Sequence, residues 1–174
     1  QYRNNICQKS ENCLFCEHFR MHPDSEDLQK LYDKIDNLKN GDILVLAGSI
    51  PSTVDDKLYE NIMKRLEDKN IKIVVDATKN LLLNVLKYNP FLIKPNNHEL
   101  EEMFNVKLST IEDISRYAKK LQDMGARNVL ISMGKDGALL LTENNEVFLS
   151  NTPKGTVKNS VGAGDSMVAG FIAG

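Results

Sequence analysis

Ile43-Leu-Val-Leu-Ala47-Gly48-Ser49-Ile50-Pro51, with Leu58, Ile62 and Leu66 following at helical spacing, is the stretch that decides the fold. Five apolar residues without polar alternation predict a strand buried on both faces, the pattern of a parallel sheet. Gly48 and Pro51 end it. The stripe at positions 58, 62 and 66 then predicts a helix that carries the chain back, so the unit is βα.

The unit repeats outward from there. Ile71 to Val75 reads as a strand, Asn80 to Tyr88 as a helix, Phe91 to Lys94 as a strand and His98 to Phe104 as a short helix. Ser109-x-x-Glu112 has the form of a capping box before Ile111, Ile114, Ala118 and Leu121, a helix that Gly125 can end ahead of a strand from Asn128 to Met133. Turn residues Gly134 to Gly137 follow. Ala138 to Thr142 and Glu146 to Leu149 flank Glu143-Asn-Asn145 as an antiparallel hairpin, which makes the sheet mixed at that edge. On the other side of the quoted strand, Leu28, Leu31, Ile35 and Leu38 mark an amphipathic helix that Ser25 can cap and Gly41 can stop. The chain closes on Gly162-Ala-Gly164-Asp165, which opens an apolar helical run from Met167 to Ala173.

The totals are those of an ordinary globular protein: 174 residues, 41% hydrophobic and 26% charged. With 22 basic and 24 acidic residues the net charge is −2, which does not favour nucleic acid as a partner. The apolar runs are far shorter than the roughly 20 residues of a membrane helix. No signal peptide follows Gln1, so a cytoplasmic protein without membrane association is expected. Cys7, Cys13 and Cys16 all lie in the first sixteen residues, near His18 and His22, and set residues 1–22 apart from a domain over 23–174. Two readings of that segment stay open, a zinc-binding element and a tail or linker.

Asn159-Ser-Val-Gly162-Ala-Gly164-Asp165-Ser166 carries the strongest chemical signal. Its glycines allow close backbone approach to a ligand, and the free amides at the helix start form an anion site. Asp165, ionised beside that positive helix end, is placed to accept the proton of an attacking hydroxyl. Read alone, Gly164 serves equally for tight helix packing and Asp165 as an ordinary helix-start acid. Neither a dinucleotide fingerprint nor a Walker A loop fits, because Met167 stands where the third glycine belongs and no Gly-Lys-Ser/Thr ending occurs.

Three further elements end predicted strands, where ligands gather in α/β sheets. Lys94-Pro-Asn96-Asn-His-Glu99 offers a cation for phosphates, and Asn96 and Glu99 can share a side to hold Mg²⁺; the alternative is that Glu99, with Glu101 and Glu102, forms a solvated acidic face. Ser132-Met133-Gly134-Lys135-Asp136-Gly137 allows a tight bend beside a ligand, or simply a hairpin turn. Ser49 exposes a hydroxyl to a sugar, or sits in a plain turn.

Taken in order, Gly48-Ser49-Ile-Pro51, Val75-Asp76, Lys94 to Glu99, Ser132 to Gly137 and Gly162 to Asp165 resemble the PfkB, or ribokinase-like, carbohydrate kinases, over roughly residues 25–174. The longer text around Asp76 and Asp165 looks like the branch that holds 1-phosphofructokinases and tagatose-6-phosphate kinases. The resemblance implies an α/β three-layer αβα fold with a mostly parallel, doubly wound sheet, ATP and Mg²⁺ as cofactors, and a sugar phosphate as the other small-molecule partner. It implies Asp165 as catalytic base and substrate contact, with Gly162, Ala163 and Gly164 as anion hole. It further implies Lys94, Ser132 to Gly137 and Gly164 at the nucleotide, Asn96 and Glu99 at the metal, and Ser49 at the sugar phosphate. The family's N-terminal sugar-binding half and lid do not appear before Ser25, so the chain is expected to be part of a longer one. Because relatives often pair through that lid, the full-length protein is expected as a homodimer. An inactive nucleotide-binding module is the other reading that this departure leaves open.

Overall fold

The computed structural model describes residues 25–48, 50, 55–156 and 162–174. The three cysteines, His18, His22, Ser49 and residues 159–161 of the glycine-rich motif lie outside the described residues. Helix α1 (Ser25–Asp36) leads into β1 (Ile43–Ala47), α2 (Leu58–Arg65), β2 (Lys72–Asp76), α3 (Lys79–Val85), β3 (Leu92–Ile93) and α4 (Asn97–Phe104). Then come α5 (Ile111–Asp123), β4 (Asn128–Ser132), β5 (Ala138–Leu141), β6 (Val147–Ser150) and α6 (Ala163–Ala173). Short 3₁₀ turns occupy Leu86–Tyr88 and Gly134–Asp136.

The six strands lie side by side in chain order in one sheet. β1 to β4 are parallel, and β5 and β6 join antiparallel, so the sheet is mixed at the expected edge. Successive residues of the central strands serve opposite faces. Ile73, Val75, Ile93, Val129 and Ile131 pack with Ile35, Ile62, Leu82, Leu100 and Leu121 from α1 to α5. Val74, Leu92 and Leu130, each one position out of phase, pack with Val168, Met167 and Phe171 of α6. Helices therefore cover both faces, which makes three layers and explains why these strands are apolar without alternation.

β1 departs from the expectation of a strand buried on both faces. Leu46 is buried, but Ile43 and Val45 remain 42% and 43% exposed. The reason is position: β1 is the outermost strand of the described sheet, and α6 sits over the strands next to it.

Two helix ends also shift. α1 stops at Asp36, several residues before Gly41, while Leu38 still packs on the core from the turn beyond. The cap of α5 is Thr110 rather than Ser109. Thr110 Oγ1 accepts from the Asp113 amide at 3.1 Å and donates to Asp113 Oδ2 at 2.9 Å, and the Ser109 amide also points at that carboxylate. The threonine is the cap because its hydroxyl pairs with both the amide and the carboxylate of Asp113, three residues on.

Thr110→Ala is expected to cost about 1 kcal/mol in urea denaturation. The Thr110 hydroxyl is the main cause holding the Asp113 carboxyl below its ordinary range, so this pairing is whole through that range and is lost only as pH falls through the lowered value beneath it. The difference between wild type and variant should therefore shrink in acid. A cost that stays constant down to pH 2 would count against this cap.

Candidate active site

The parallel register aligns the carboxyl ends of β1 to β4 on one rim of the sheet. Ala47 pairs with Asp76 across β1 and β2, and the Gly48 amide donates to the Asp76 carbonyl at 3.1 Å. The Lys94 amide donates to Val75 O at 3.2 Å, and the Ser132 amide to Pro95 O at 3.1 Å. Asp76, Lys94 with Asn96, and Ser132 thus come from three separate segments and meet along one edge.

Lys94 is 7% exposed, and its Nζ lies 3.2 Å from Asp76 Oδ1. The first turn of α6 passes directly above this pair. A Cβ added at Gly164 would stand 3.0 Å from Lys94 Nζ and 3.4 Å from its Cε, so a side chain there would press on the ammonium group. The close approach at Gly164 is thus to a lysine at the sheet rim.

Gly162 caps α6 with a φ of 79°, and both the amide and the hydroxyl of Ser166 donate to its carbonyl at 2.9 Å. The amides of the first turn remain oriented along the helix axis, the arrangement that receives anions. Asp165 is exposed at this helix start. It shares with Asp76 a cavity of about 210 Å³, otherwise lined by Val45, Ala47, Val168, Ala169 and Ile172. Burial is the chief cause that pushes the Asp76 carboxyl up; Lys94 opposes it, and the negative charge of Asp165 adds to it.

Asn96 and Glu99 face each other as expected, but in a reciprocal capping box at the start of α4. Asn96 Oδ1 accepts from the Glu99 amide and Glu99 Oε2 accepts from the Asn96 amide, both at 2.8 Å. The box leaves Glu99 Oε1 free of that task. Among the described residues no group of three or more acidic, histidine or cysteine side chains forms a cage for a metal. The donor set still fits Mg²⁺, which binds through one or two carboxylates, retained waters and substrate phosphates rather than a complete protein cage.

Ser132 ends β4, and Met133 to Gly137 form a tight loop in which the Met133 amide donates to Gly137 O at 2.8 Å. Lys135 and Asp136 are exposed at its tip, and Thr152 Oγ1 donates to Lys135 O at 2.7 Å. Asn96 and Ser132 bridge in parallel, so this loop is tied to the Lys94 segment.

Sequence reasoning gave Asp76 no role beyond its place in the motif order, and missed Tyr59 altogether. The buried Tyr59 hydroxyl lies 3.0 Å from Ala47 O and 3.2 Å from Gly48 O, clamping the turn that leads to Ser49. Its phenol is pushed up mainly by burial and further by Asp76. A signal for Asp76 was present, since an acid that ends an apolar strand is costly unless paired. Tyr59 carried none, because it occupies a normal position in a helix stripe.

A glycine-rich helix start and a buried lysine at one sheet rim are the setting in which relatives can be compared. The pfkB family carbohydrate kinase model matches residues 14–174. The chain belongs to this family. Against individual pfkB kinases, it is 47% identical over 149 residues to the 1-phosphofructokinase of Bacillus subtilis, covering 86% of this chain and 49% of that protein. It is 39% identical to the D-tagatose-1-phosphate kinase of Bacillus licheniformis, covering 83% and 47%. The crystal structure of phosphofructokinase-2 from Escherichia coli in complex with fructose-6-phosphate superposes with a TM-score of 0.75 at 28% identity, covering 83% of this chain and 47% of that one. The chain thus spans about half the length of the pfkB relatives it matches.

Proposed function

We propose that the whole protein transfers the γ-phosphoryl group of MgATP to a hydroxyl of a phosphorylated ketose, with fructose 1-phosphate as the leading substrate and fructose 1,6-bisphosphate as product. The observation that carries this reading is the Lys94 ammonium lying directly beneath the Gly164 turn, with Asp165 exposed beside it. Such a site pairs an anion receptor with a base. Membership of a carbohydrate kinase family and 47% identity to a 1-phosphofructokinase support the substrate class.

In this reading Asp165 accepts the proton of the attacking hydroxyl, while the amides of Gly162, Ala163 and Gly164 hold the transferred group in line. Lys94 and the loop from Ser132 to Gly137 hold the nucleotide, and Ser49 contacts the sugar phosphate. Asn96 and Glu99 would hold Mg²⁺, which supplies charge neutralisation of the phosphates when bound. Catalysis is mostly positioning and electrostatics. We assign the protein to the cytoplasm, and we extend to the full-length protein the pairing expected of a homodimer.

Among the described residues no helix is long and apolar enough to cross a membrane. A relative named D-tagatose-1-phosphate kinase favours one neighbouring substrate, the C4 epimer. Tagatose 6-phosphate and fructose 6-phosphate complete the panel.

The test is ADP release by this chain with MgATP and each of these ketose phosphates. Turnover highest with fructose 1-phosphate is the expected result. ATP binding without turnover on any sugar would identify a nucleotide-binding module instead, and absence of both would sink the kinase reading for this chain.

A further inference from the structure

Lys94 is not poised in solvent for a phosphate; its charge is already taken. The ammonium is almost wholly enclosed, its carboxylate partner at 3.2 Å is Asp76, and the first turn of α6 closes over it at Gly164. A buried ammonium without an anion is strongly unfavourable, so the ligand-free protein needs Asp76 in that place. Asp76 and a second carboxylate, Asp165, line one cavity whose wall, among the described residues, includes no cation. An incoming polyanion meets a site whose cation is neutralised.

We propose that Asp76 is an internal counter-ion of Lys94 which the nucleotide's phosphate replaces on binding, so that Asp76 sets nucleotide affinity and holds Lys94 in position without taking part in transfer. This rests on the reading of Lys94 as a phosphate contact. The exchange is favoured by the surroundings of Asp76. Its charged form is disfavoured by burial and by the repulsion of Asp165, and Lys94 alone offsets these. Of the other groups facing it, the Tyr59 phenol from α2 is neutral, and among the described residues Lys94 is the one cation acting on the carboxylate. Asp76 is 22% exposed at its side chain, against 8% for Lys94, so it can turn toward water when the ammonium is taken over.

The proposal fixes the direction of two effects of Asp76→Asn. Without ligand the variant should melt below wild type, because the ammonium is left without an anion. It should also bind inorganic tripolyphosphate and ATP about tenfold more tightly, since the competitor is gone. A residue that merely supported the fold would lower stability and affinity together. Isothermal titration of the 174-residue chain with each probe, beside thermal melts with and without tripolyphosphate, reads both.

If Asp76→Asn does not fold alone, recovery of its fold on adding tripolyphosphate supports the exchange. Failure to recover, while Asp76→Asn with Lys94→Met folds, overturns it. Wild type binding the probes with Asp76→Asn binding equally or more weakly overturns the exchange and leaves the kinase reading standing. No binding of either probe by wild type or variant overturns both.

Discussion

Asp165→Asn is expected to lower turnover by about 10²- to 10⁴-fold while leaving the fold intact. The amide has the shape of the carboxylate but no capacity to take the proton of the attacking hydroxyl, and a positioned general base contributes about this factor. Two opposing terms act on stability. Losing an acid from the first turn of α6 forfeits about 0.3–1 kcal/mol of interaction with the helix dipole. Removing its charge also relieves the repulsion on Asp76. Asp165 is exposed, so the net change should stay near the roughly 0.5 kcal/mol typical of surface substitutions. Steady-state kinetics with a thermal melt on the same preparation decides the matter. Turnover within a few-fold of wild type would remove Asp165 as the base, and a collapsed melt would show a structural role.

The second large effect is on stability, at Gly137. This residue has a φ of 94°, and an added Cβ would stand 1.9 Å from Ser150 O. No rotation of a side chain relieves a clash between Cβ and backbone, so β6 would have to leave β5 where Ala138 pairs with Ser150. Gly137→Ala is expected to cost at least about 3 kcal/mol, combining strained backbone with overpacking. Gly134→Ala is the control. Its φ is also positive, at 58°, but a Cβ there meets nothing within 4 Å, so only the backbone term of about 1–2 kcal/mol applies. Equal urea midpoints for the two variants would show that β6 yields easily. The same displacement would move the Met133 to Gly137 loop, so any nucleotide affinity of this chain should fall with Gly137→Ala and change little with Gly134→Ala.

Most of the architecture was legible because its signals are local. Apolar runs of strand length, stripes at helical spacing and a turn rich in Asn between two strands each act within a few residues, and they correctly implied the βα repeat, the hairpin and the helix opened at Gly162. Errors arose where two local solutions compete. Thr110 and Ser109 are both good caps, and only the hydrogen bonds to Asp113 distinguish them. Asn96 and Glu99 read as a pair facing one side, and the pair is real, yet each first satisfies the other's backbone amide in a box that the sequence reading recognised elsewhere and not here.

By itself, then, the sequence determined the order and type of the elements and the chemistry available at strand ends: a lysine, an amide and carboxylate pair, two glycine-bearing turns and an acid at a helix start. Local propensity and turn chemistry are sufficient for that much. The tertiary structure alone decided that Asp76 neutralises Lys94, that the Gly164 turn lies over this ammonium group, that Tyr59 clamps the end of β1, and that one face of β1 stays exposed. Each of these depends on the parallel register of strands distant in sequence, or on which face of the sheet α6 covers. Register and layer are settled by the burial of the whole core, a collective quantity that no short stretch of residues contains.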